Sequence, residues 1–164
     1  MKKTEKNLLD AFAGESKTSR KYLAYAQQAE REGYTQAAKL FKAASAAEAI
    51  HALAHLRLLG MVKSTAENLE DAISGETHTF TTVYPTMIRE AEEEGQKAAA
   101  ITMGFAAEVE CSHARLYRKV LSDLENLPGA DYYVCAVCGY TVENQVPDTC
   151  PVCKSSSKAF FQIE

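Results

Sequence analysis

The chain has 164 residues, of which 46% are hydrophobic and 24% charged, and its formal net charge is −4. This composition excludes a disordered chain, and the lack of any Lys/Arg cluster excludes a nucleic-acid-binding protein. No apolar run approaches the roughly 20 residues of a membrane span, and the N-terminus lacks the apolar core of a signal peptide, so we expect a cytoplasmic protein without a membrane partner.

An internal repeat organises most of the chain. Residues 4–15 (TEKNLLDAFAGE) and 65–76 (TAENLEDAISGE) are identical at seven of twelve positions, at an offset of 61. Beyond Tyr22 the offset becomes 62, so that Tyr22 pairs with Tyr84. Both copies are rich in helix formers, and a glycine in each is a natural helix stop. The repeat predicts two helical hairpins, with Pro85 kinking the third helix. The predicted helices are 4–32, 35–60, 65–94 and 96–126.

Each predicted helix carries one glutamate on its mostly apolar face, because side chains three or four positions apart share a face. On the second and fourth helices a histidine follows the glutamate three positions later. The six residues are, in chain order, Glu15, Glu48, His51, Glu76, Glu110 and His113.

Converging carboxylates on apolar helix faces require cations, because an unpaired buried charge is very costly. Two ferrous ions would balance four glutamates, and the histidines add neutral nitrogen ligands. One Glu from each of two helices, with Glu-x-x-His from each of the other two, is the pattern of di-iron and di-manganese bundles. A single Glu-x-x-His pair most often lies on a solvated face, but two at equivalent repeat positions predict a two-metal site.

Five other residues lie near this pattern. Tyr22 and Tyr84 share the faces of the first- and third-helix glutamates, and hydrogen bonds to ligating carboxylates are favoured over plain core packing. His55 is expected to be a core residue or a partner of the ligands, and His78 a surface residue. Cys111 lies one step off the ligand face and is expected to be a buried, inert thiol.

After Pro128 and Gly129 the composition changes and the helical period ends. This change divides the chain into a helical bundle at 1–128 and a small module at 129–164. The small module is too short to fold on an apolar core alone. It contains two C-x-x-C knuckles, formed by Cys135, Cys138, Cys150 and Cys153. Four thiolates at this spacing fit one tetrahedral iron or zinc ion. A zinc ribbon that only holds the tail together fits the same spacing.

These residues together resemble the rubrerythrin family over essentially the whole chain. The motifs are Ala-Gly-Glu at 13–15, Gly-Glu at 75–76, Tyr84-Pro85, both Glu-x-x-His pairs and the cysteine tail. The resemblance implies an all-α ferritin-like four-helix bundle and a small metal-stabilised rubredoxin-like C-terminal domain. Tyr22 and Tyr84 match tyrosines that adjoin the ligands in the family. The implied metal ligands are Glu15, Glu48, His51, Glu76, Glu110 and His113 for a non-haem di-iron centre, and Cys135, Cys138, Cys150 and Cys153 for one further iron, or zinc in recombinant protein.

The activity that the resemblance implies is reduction of hydrogen peroxide to water, in oxygen-sensitive microbes. Electrons would come from NAD(P)H through a separate reductase or a rubredoxin, and the four-cysteine iron would pass them to the di-iron centre. A ferroxidase or iron-handling protein is the alternative, since ferritin-like bundles share these ligands. A zinc-ribbon interaction module on an inert bundle is a third interpretation.

The sequence departs from the family pattern at two positions. The family usually has a further glutamate where Thr79 stands, and its iron shifts between that carboxylate and the histidine equivalent to His51. The substitution therefore predicts that His51 stays bound. The family usually has glycine where Lys154 follows the second knuckle. A lysine at positive φ there would cost about 1 kcal/mol.

The connection between the two hairpins predicts the mode of assembly. A ferritin-like bundle makes the second and third helices parallel, so their link must traverse a helix of roughly 40 Å. The available residues, 61–64, reach only about 13 Å. We therefore expect a domain-swapped homodimer, in which each di-iron site takes its ligands from the first hairpin of one chain and the second hairpin of the other. A simple up-down-up-down bundle is the alternative.

Overall fold

The computed structural model describes all 164 residues, Met1–Glu164. The chain is mostly helical, with a small three-stranded sheet near its C-terminus, and it divides into two compact units, Met1–Lys63 and Ser64–Glu164. The elements are α1 (Lys3–Arg31), α2 (Thr35–Leu58), α3 (Thr65–His78), a π-helical turn (Thr79–Val83), α4 (Tyr84–Glu93), α5 (Lys97–Ser122), β1 (Tyr132–Cys135), β2 (Thr141–Glu143), a 3-10 turn (Ser157–Ala159) and β3 (Phe160–Gln162). The four predicted helices are confirmed, with α3, the π-helical turn and α4 together forming the third. None of the helices has the length and apolar character needed to cross a bilayer.

The first unit is the hairpin of α1 and α2. Gly33 ends α1 with φ +83°, a value that suits glycine because it lacks a Cβ. The N–H of Gly33 donates a hydrogen bond to the carbonyl of Glu30, and the N–H of Tyr34 donates one to the carbonyl of Ala29. These bonds satisfy carbonyls at the end of the helix. Ser19 and Ser45, both buried, donate hydrogen bonds to each other's carbonyls at 3.0 and 2.9 Å. Small side chains therefore let the two helices approach closely.

The π-helical turn explains why the offset between the two copies of the repeat changes from 61 to 62 residues. One extra residue lies between Glu76 and Tyr84 relative to the first copy, and a π-helical turn accommodates one more residue than an α-helical turn. The insertion is absorbed at Thr79–Val83, directly before Pro85. Because the turn absorbs the extra residue, Tyr84 corresponds to Tyr22 in the repeat although it lies one position farther from its glutamate. The departure from regular α-helix thus precedes the proline at which we predicted a kink.

The small module contains an antiparallel sheet with strand order β2-β1-β3. Tyr133 pairs with Val142 on one side and with Gln162 on the other. Its two buried hydrophobic side chains are Cys135 and Cys150, as expected of a module without an apolar core. The predicted boundary between residues 128 and 129 falls between α5 and β1 and stays a prediction.

Candidate metal centres

The first unit brings together one glutamate of α1 with the Glu-x-x-His pair of α2. The ligand atoms of Glu15, Glu48 and His51 all lie within 4.8 Å of one another. Nδ1 of His51 is 3.1 Å from Oε2 of Glu48. A hydrogen bond between the carboxyl groups of Glu15 and Glu48 raises the pKa of Glu15, and partial burial and the charge of Glu48 raise it further. The side chain of His51 is 57% exposed.

The second unit repeats this arrangement with Glu76 of α3 and the Glu-x-x-His pair of α5. The ligand atoms of Glu76, Glu110 and His113 also lie within 4.8 Å of one another. Nδ1 of His113 is 2.9 Å from Oε2 of Glu110 and 3.8 Å from Oε1 of Glu76. Burial, together with the charge of Glu110, raises the pKa of Glu76. Here the histidine is only 26% exposed.

Both triads fit a metal ion. Bonds of about 2.1 Å at right angles place neighbouring ligand atoms about 3.0 Å apart, as seen between each histidine and its glutamate. The raised pKa values of Glu15 and Glu76 mean that ionising these two carboxyl groups is costly, and a cation would offset that cost. The structure brings the six predicted ligands together as two sets of three, one in each unit. Their union in one di-metal site stays a prediction.

The predicted tyrosines occupy different surroundings. Tyr22 lies in an aromatic cluster, with its ring centroid 6.1 Å from that of Tyr25 and 6.0 Å from that of Phe41. Burial and the charges of Glu110 and Glu76 raise the pKa of Tyr84, which places this phenol beside the second triad. The predicted hydrogen bonds of Tyr22 and Tyr84 to ligating carboxylates stay a prediction.

Two residues near the second triad were missed by the sequence interpretation. Tyr117 lies one helical turn beyond His113, with ring centroids 6.4 Å apart, and burial with the charges of both glutamates raises its pKa. The helical period on α5 was the signal that could have identified Tyr117. Thr141 of β2 lies with its hydroxyl 3.1 Å from Nε2 of His113. No local pattern marks Thr141, because 28 positions separate the two residues. A cavity of about 180 Å³ adjoins them, lined by His113, Leu116, Tyr117, Val120, Tyr132 and Thr141.

The remaining histidines and the fifth cysteine can also be placed. His55 lies close enough to Glu15 for its charge to lower the pKa of that carboxyl, and its buried Nδ1 has no hydrogen-bond partner. His55 is not part of the triad, and His78 is exposed, as predicted. Cys111 is a free thiol, but it is half-buried rather than buried.

The four cysteines of the small module form the third cluster, with all Sγ atoms within 4.8 Å of one another. Cys135 and Cys153 are 3.7 Å apart, and Cys138 and Cys150 are 3.6 Å apart. Tetrahedral metal–sulfur bonds of about 2.3 Å give sulfur separations of about 3.8 Å, so the geometry fits one ion. Burial raises the pKa of Cys138 to about 12. At Cys135, hydrogen bonds from Ser155 and from backbone amides outweigh burial and lower the pKa to about 6.

The second knuckle has the backbone conformation that the sequence comparison anticipated. Lys154 has φ +64°, in the left-handed region that favours glycine. Its ammonium group donates to the carbonyl of Pro151 at 2.6 Å, and its N–H bonds to the carbonyl of Cys150. These bonds hold the lysine in the turn despite its unfavourable φ.

The family models that match this chain span the residues of all three clusters. A family model described as rubrerythrin matches residues 6–121, and one described as the rubredoxin-like domain of rubrerythrin matches residues 133–161. Rubrerythrin of Porphyromonas gingivalis is 35% identical, covering 98% of this chain and 89% of that protein. Nigerythrin of Nitratidesulfovibrio vulgaris is 33% identical, covering 92% of this chain and 81% of that protein.

The solved structures agree with the sequence matches. A structure of nigerythrin in a mixed-valence state superposes with a TM-score of 0.60 at 31% identity, covering 99% of this chain and 88% of that chain. A structure of the fully reduced, all-ferrous state gives a TM-score of 0.61 at 30% identity. The predicted fold class, a ferritin-like helical part with a small rubredoxin-like domain, is confirmed.

Proposed function

This chain belongs to the rubrerythrin family, and we propose that it reduces hydrogen peroxide to water at a non-haem di-iron centre. The observation that carries the proposal is the presence of two Glu-Glu-His triads and a four-cysteine cluster in one chain. Carboxylate and imidazole ligands suit iron of changing oxidation state, whereas four thiolates form a closed shell suited to electron transfer. When bound, a pair of ferrous ions supplies two electrons, which with two protons convert one hydrogen peroxide into two water molecules.

The side chains around the second triad can bind such a small substrate and donate hydrogen bonds to it. Burial and the neighbouring glutamate charges keep the phenols of Tyr84 and Tyr117 protonated at neutral pH, because both pKa values lie above their ordinary value. Both phenols can therefore donate hydrogen bonds. The cavity beside His113 and Tyr117, of about 180 Å³, has room for a peroxide molecule and a few waters.

The small module supports electron input rather than iron storage, which needs no such site. We propose that Cys135, Cys138, Cys150 and Cys153 would hold an iron ion, which could take single electrons from a rubredoxin or an NAD(P)H-dependent reductase and pass them to the di-iron centre. A cytoplasmic location and the identity of the donor stay predictions from the sequence. A ferroxidase or iron-storage role is the alternative.

Anaerobic single-turnover and steady-state measurements test this proposal. Iron-loaded protein should consume one equivalent of hydrogen peroxide per reduced di-iron centre, and it should turn over repeatedly when reduced rubredoxin is supplied. The Glu110→Gln variant should lose the first reaction while keeping the visible absorption of its ferric four-cysteine site. Growth of a ferric mineral without peroxide turnover would support iron storage instead.

The burial pattern supports assembly into a dimer. Val109 is the one branched aliphatic side chain that is buried, and the other buried hydrophobic residues are alanines and two cysteines. Leu58 and Leu40 are 74% and 70% exposed, and Ile50 is 66% exposed. A chain with 46% hydrophobic residues ordinarily buries its leucines and isoleucines, so a second copy is expected to cover them.

We propose that this second copy exchanges hairpins with the first. The link at 59–64 reaches at most about 22 Å. The 24 residues of α2 extend about 36 Å, so parallel α2 and α3 within one chain would exceed that reach. Each di-iron site would then combine the first triad of one chain with the second triad of its partner.

Mixed dimers distinguish exchange from a closed monomeric bundle. Co-expression of a Glu48→Gln chain with a Glu110→Gln chain should restore one intact site per mixed dimer if hairpins are exchanged, because one first triad and one second triad remain native. Without exchange, every site carries one defect. The control pairs a wild-type chain with a chain that carries both Glu48→Gln and Glu110→Gln. Its mixed dimer should contain an intact site only if each hairpin stays in its own chain. Peroxide consumption and iron content of purified mixed dimers provide the measurement.

A further inference from the structure

The hydrogen bond between Thr141 and His113 connects the small module with the second triad. The Thr141 hydroxyl also lies 3.2 Å from the carbonyl of Gly139, to which it donates. A hydroxyl has one proton and two lone pairs. Since its proton is directed to Gly139, the hydroxyl accepts a hydrogen bond from the Nε2–H of His113, 3.1 Å away.

This direction of hydrogen bonding determines which nitrogen can bind a metal. A neutral imidazole carries one proton, and the proton held on Nε2 leaves a lone pair on Nδ1. Nδ1 is the atom that faces Glu110 and Glu76, at 2.9 and 3.8 Å. Histidines that bind metals generally donate their other N–H to a fixed acceptor, which orients the ring and selects the tautomer.

We infer that Thr141 is a positioning residue for the metal ligand His113 and that the small module thereby completes one of the two metal positions. The inference rests on the proposed function only in so far as Glu76, Glu110 and His113 bind a metal ion. It assigns the small module a second task besides electron transfer, namely holding the ligand geometry of the neighbouring centre.

Further contacts fix Thr141 against α5. Lys119 of α5 donates to Glu143 at the other end of β2, at 2.5 Å, and the hydroxyl of Tyr132 donates to the same carboxylate at 3.2 Å. The turn before Thr141 packs on the helix as well, because a Cβ at Gly139 would lie 3.8 Å from Cγ1 of Val109. β2 is therefore held at both ends, so the position of the Thr141 hydroxyl is well defined.

The same contact makes the two triads unequal. The helical hairpin occurs twice in the chain, but the small module occurs once. Nε2 of His113 bonds to Thr141 of the small module, whereas the hydrogen bond of His51 is to Glu48 of its own helix. The second triad is expected to hold its metal more firmly than the first.

Metal titration of the full-length protein tests the role of Thr141. With zinc in the four-cysteine site, Co²⁺ is added and its visible absorption is followed. The matched variants are Thr141→Ala and Thr141→Ser, which both lack the methyl group and differ only in the hydroxyl. Loss of the partner of a ligating histidine should weaken the affinity of one Co²⁺ by about 10–100-fold in Thr141→Ala, and Thr141→Ser should restore it.

Nitrogen-detected NMR of the zinc-filled protein supplies a readout that a purely structural role would not change. In wild type, His113 should show a protonated Nε2 and a metal-bound Nδ1, and in Thr141→Ala the Nε2 proton should exchange faster with water. Thr102→Val is the control on α5, because its hydroxyl bonds only to the carbonyl of Ala98.

Equal Co²⁺ affinity and equal Nε2 proton exchange in Thr141→Ala and Thr141→Ser would overturn the inference, as would an equal loss in Thr102→Val. Neither measurement involves peroxide. An inactive wild type that still shows the expected contrast would therefore refute the proposed function and leave the role of Thr141 standing.

Discussion

The small module should unfold when its metal is removed, while the helices remain. Its buried hydrophobic side chains are Cys135 and Cys150, and its strands contain three or four residues each. A structural metal in such a module contributes about 10–16 kcal/mol. That contribution is comparable to the roughly 5–15 kcal/mol by which whole domains are ordinarily stable. No apolar core is present to replace it.

Two perturbations remove the metal by independent routes. A strong chelator extracts the ion from the native chain, and Cys150→Ser removes a thiolate whose side chain is 0% exposed. Cys111→Ser is the matched control, because Cys111 is a free cysteine outside the cluster. The variant at Cys150 should lose its ion at chelator concentrations that leave the Cys111 variant loaded.

Hydrogen exchange and limited proteolysis measure the result. The amide of Ala136, which bonds to the carbonyl of Ala159 at 2.8 Å, should lose its protection in metal-free protein, and proteases should cleave within 129–164. Helical circular dichroism and the protection of α1 and α2 should remain. If metal-free protein keeps a protected Ala136 amide, the module folds without its ion and the reasoning is refuted.

Three further predictions concern single side chains. Glu76→Gln should stabilise the metal-free protein at neutral pH yet weaken Co²⁺ binding. Because the pKa of Glu76 is raised, its protonated form contributes stability at low pH, and that stability is lost as the pH rises through this pKa. Thermal denaturation of the wild type and the variant over a pH series measures the difference. Lys154→Gly should stabilise the metal-loaded module by about 1 kcal/mol, measured by amide exchange of its strands, since it removes a non-glycine residue at φ +64°. Ser155→Ala should lower the reduction potential of the four-cysteine iron in a redox titration, because the hydroxyl lies 3.0 Å from Sγ of Cys153 and stabilises the more negative reduced state; an unchanged potential would contradict this.

The helices and the ligand triads could be predicted because both follow local periodicity. Glu48 and His51 are three positions apart on one helix, and Glu110 and His113 repeat that spacing, so the fold of a single helix already places each pair on one face. The joining of Glu15 to the first pair needs only a tight turn between neighbouring helices. These contacts depend on residues close in sequence or linked by short turns.

The features that escaped the sequence interpretation depend on longer-range geometry. The offset change between Glu76 and Tyr84 was visible, but only a kink at Pro85 was predicted, and not the π-helical turn at Thr79–Val83. The contact between Thr141 and His113 requires that the small module dock on α5, and no periodicity encodes that docking. The half-buried state of Cys111 likewise depends on what packs against the outer face of α5.

The π-helical turn and the contact of His113 with Thr141 both involve the second copy of the repeat, and together they indicate how the two metal positions differ. The π-helical turn begins at Thr79. The hydroxyl of Thr79 donates a hydrogen bond to the carbonyl of Gly75 at 2.9 Å, so its side chain is bonded within its own helix. His113 is held by Thr141 of the small module, whereas the hydrogen bond of His51 is to Glu48 of its own helix. A duplicated hairpin would give two equivalent positions, but here one ligand set is braced by the small module and the other is not. We therefore expect the metal beside His51 to exchange first during titration with a chelator, and the metal beside His113 to exchange second.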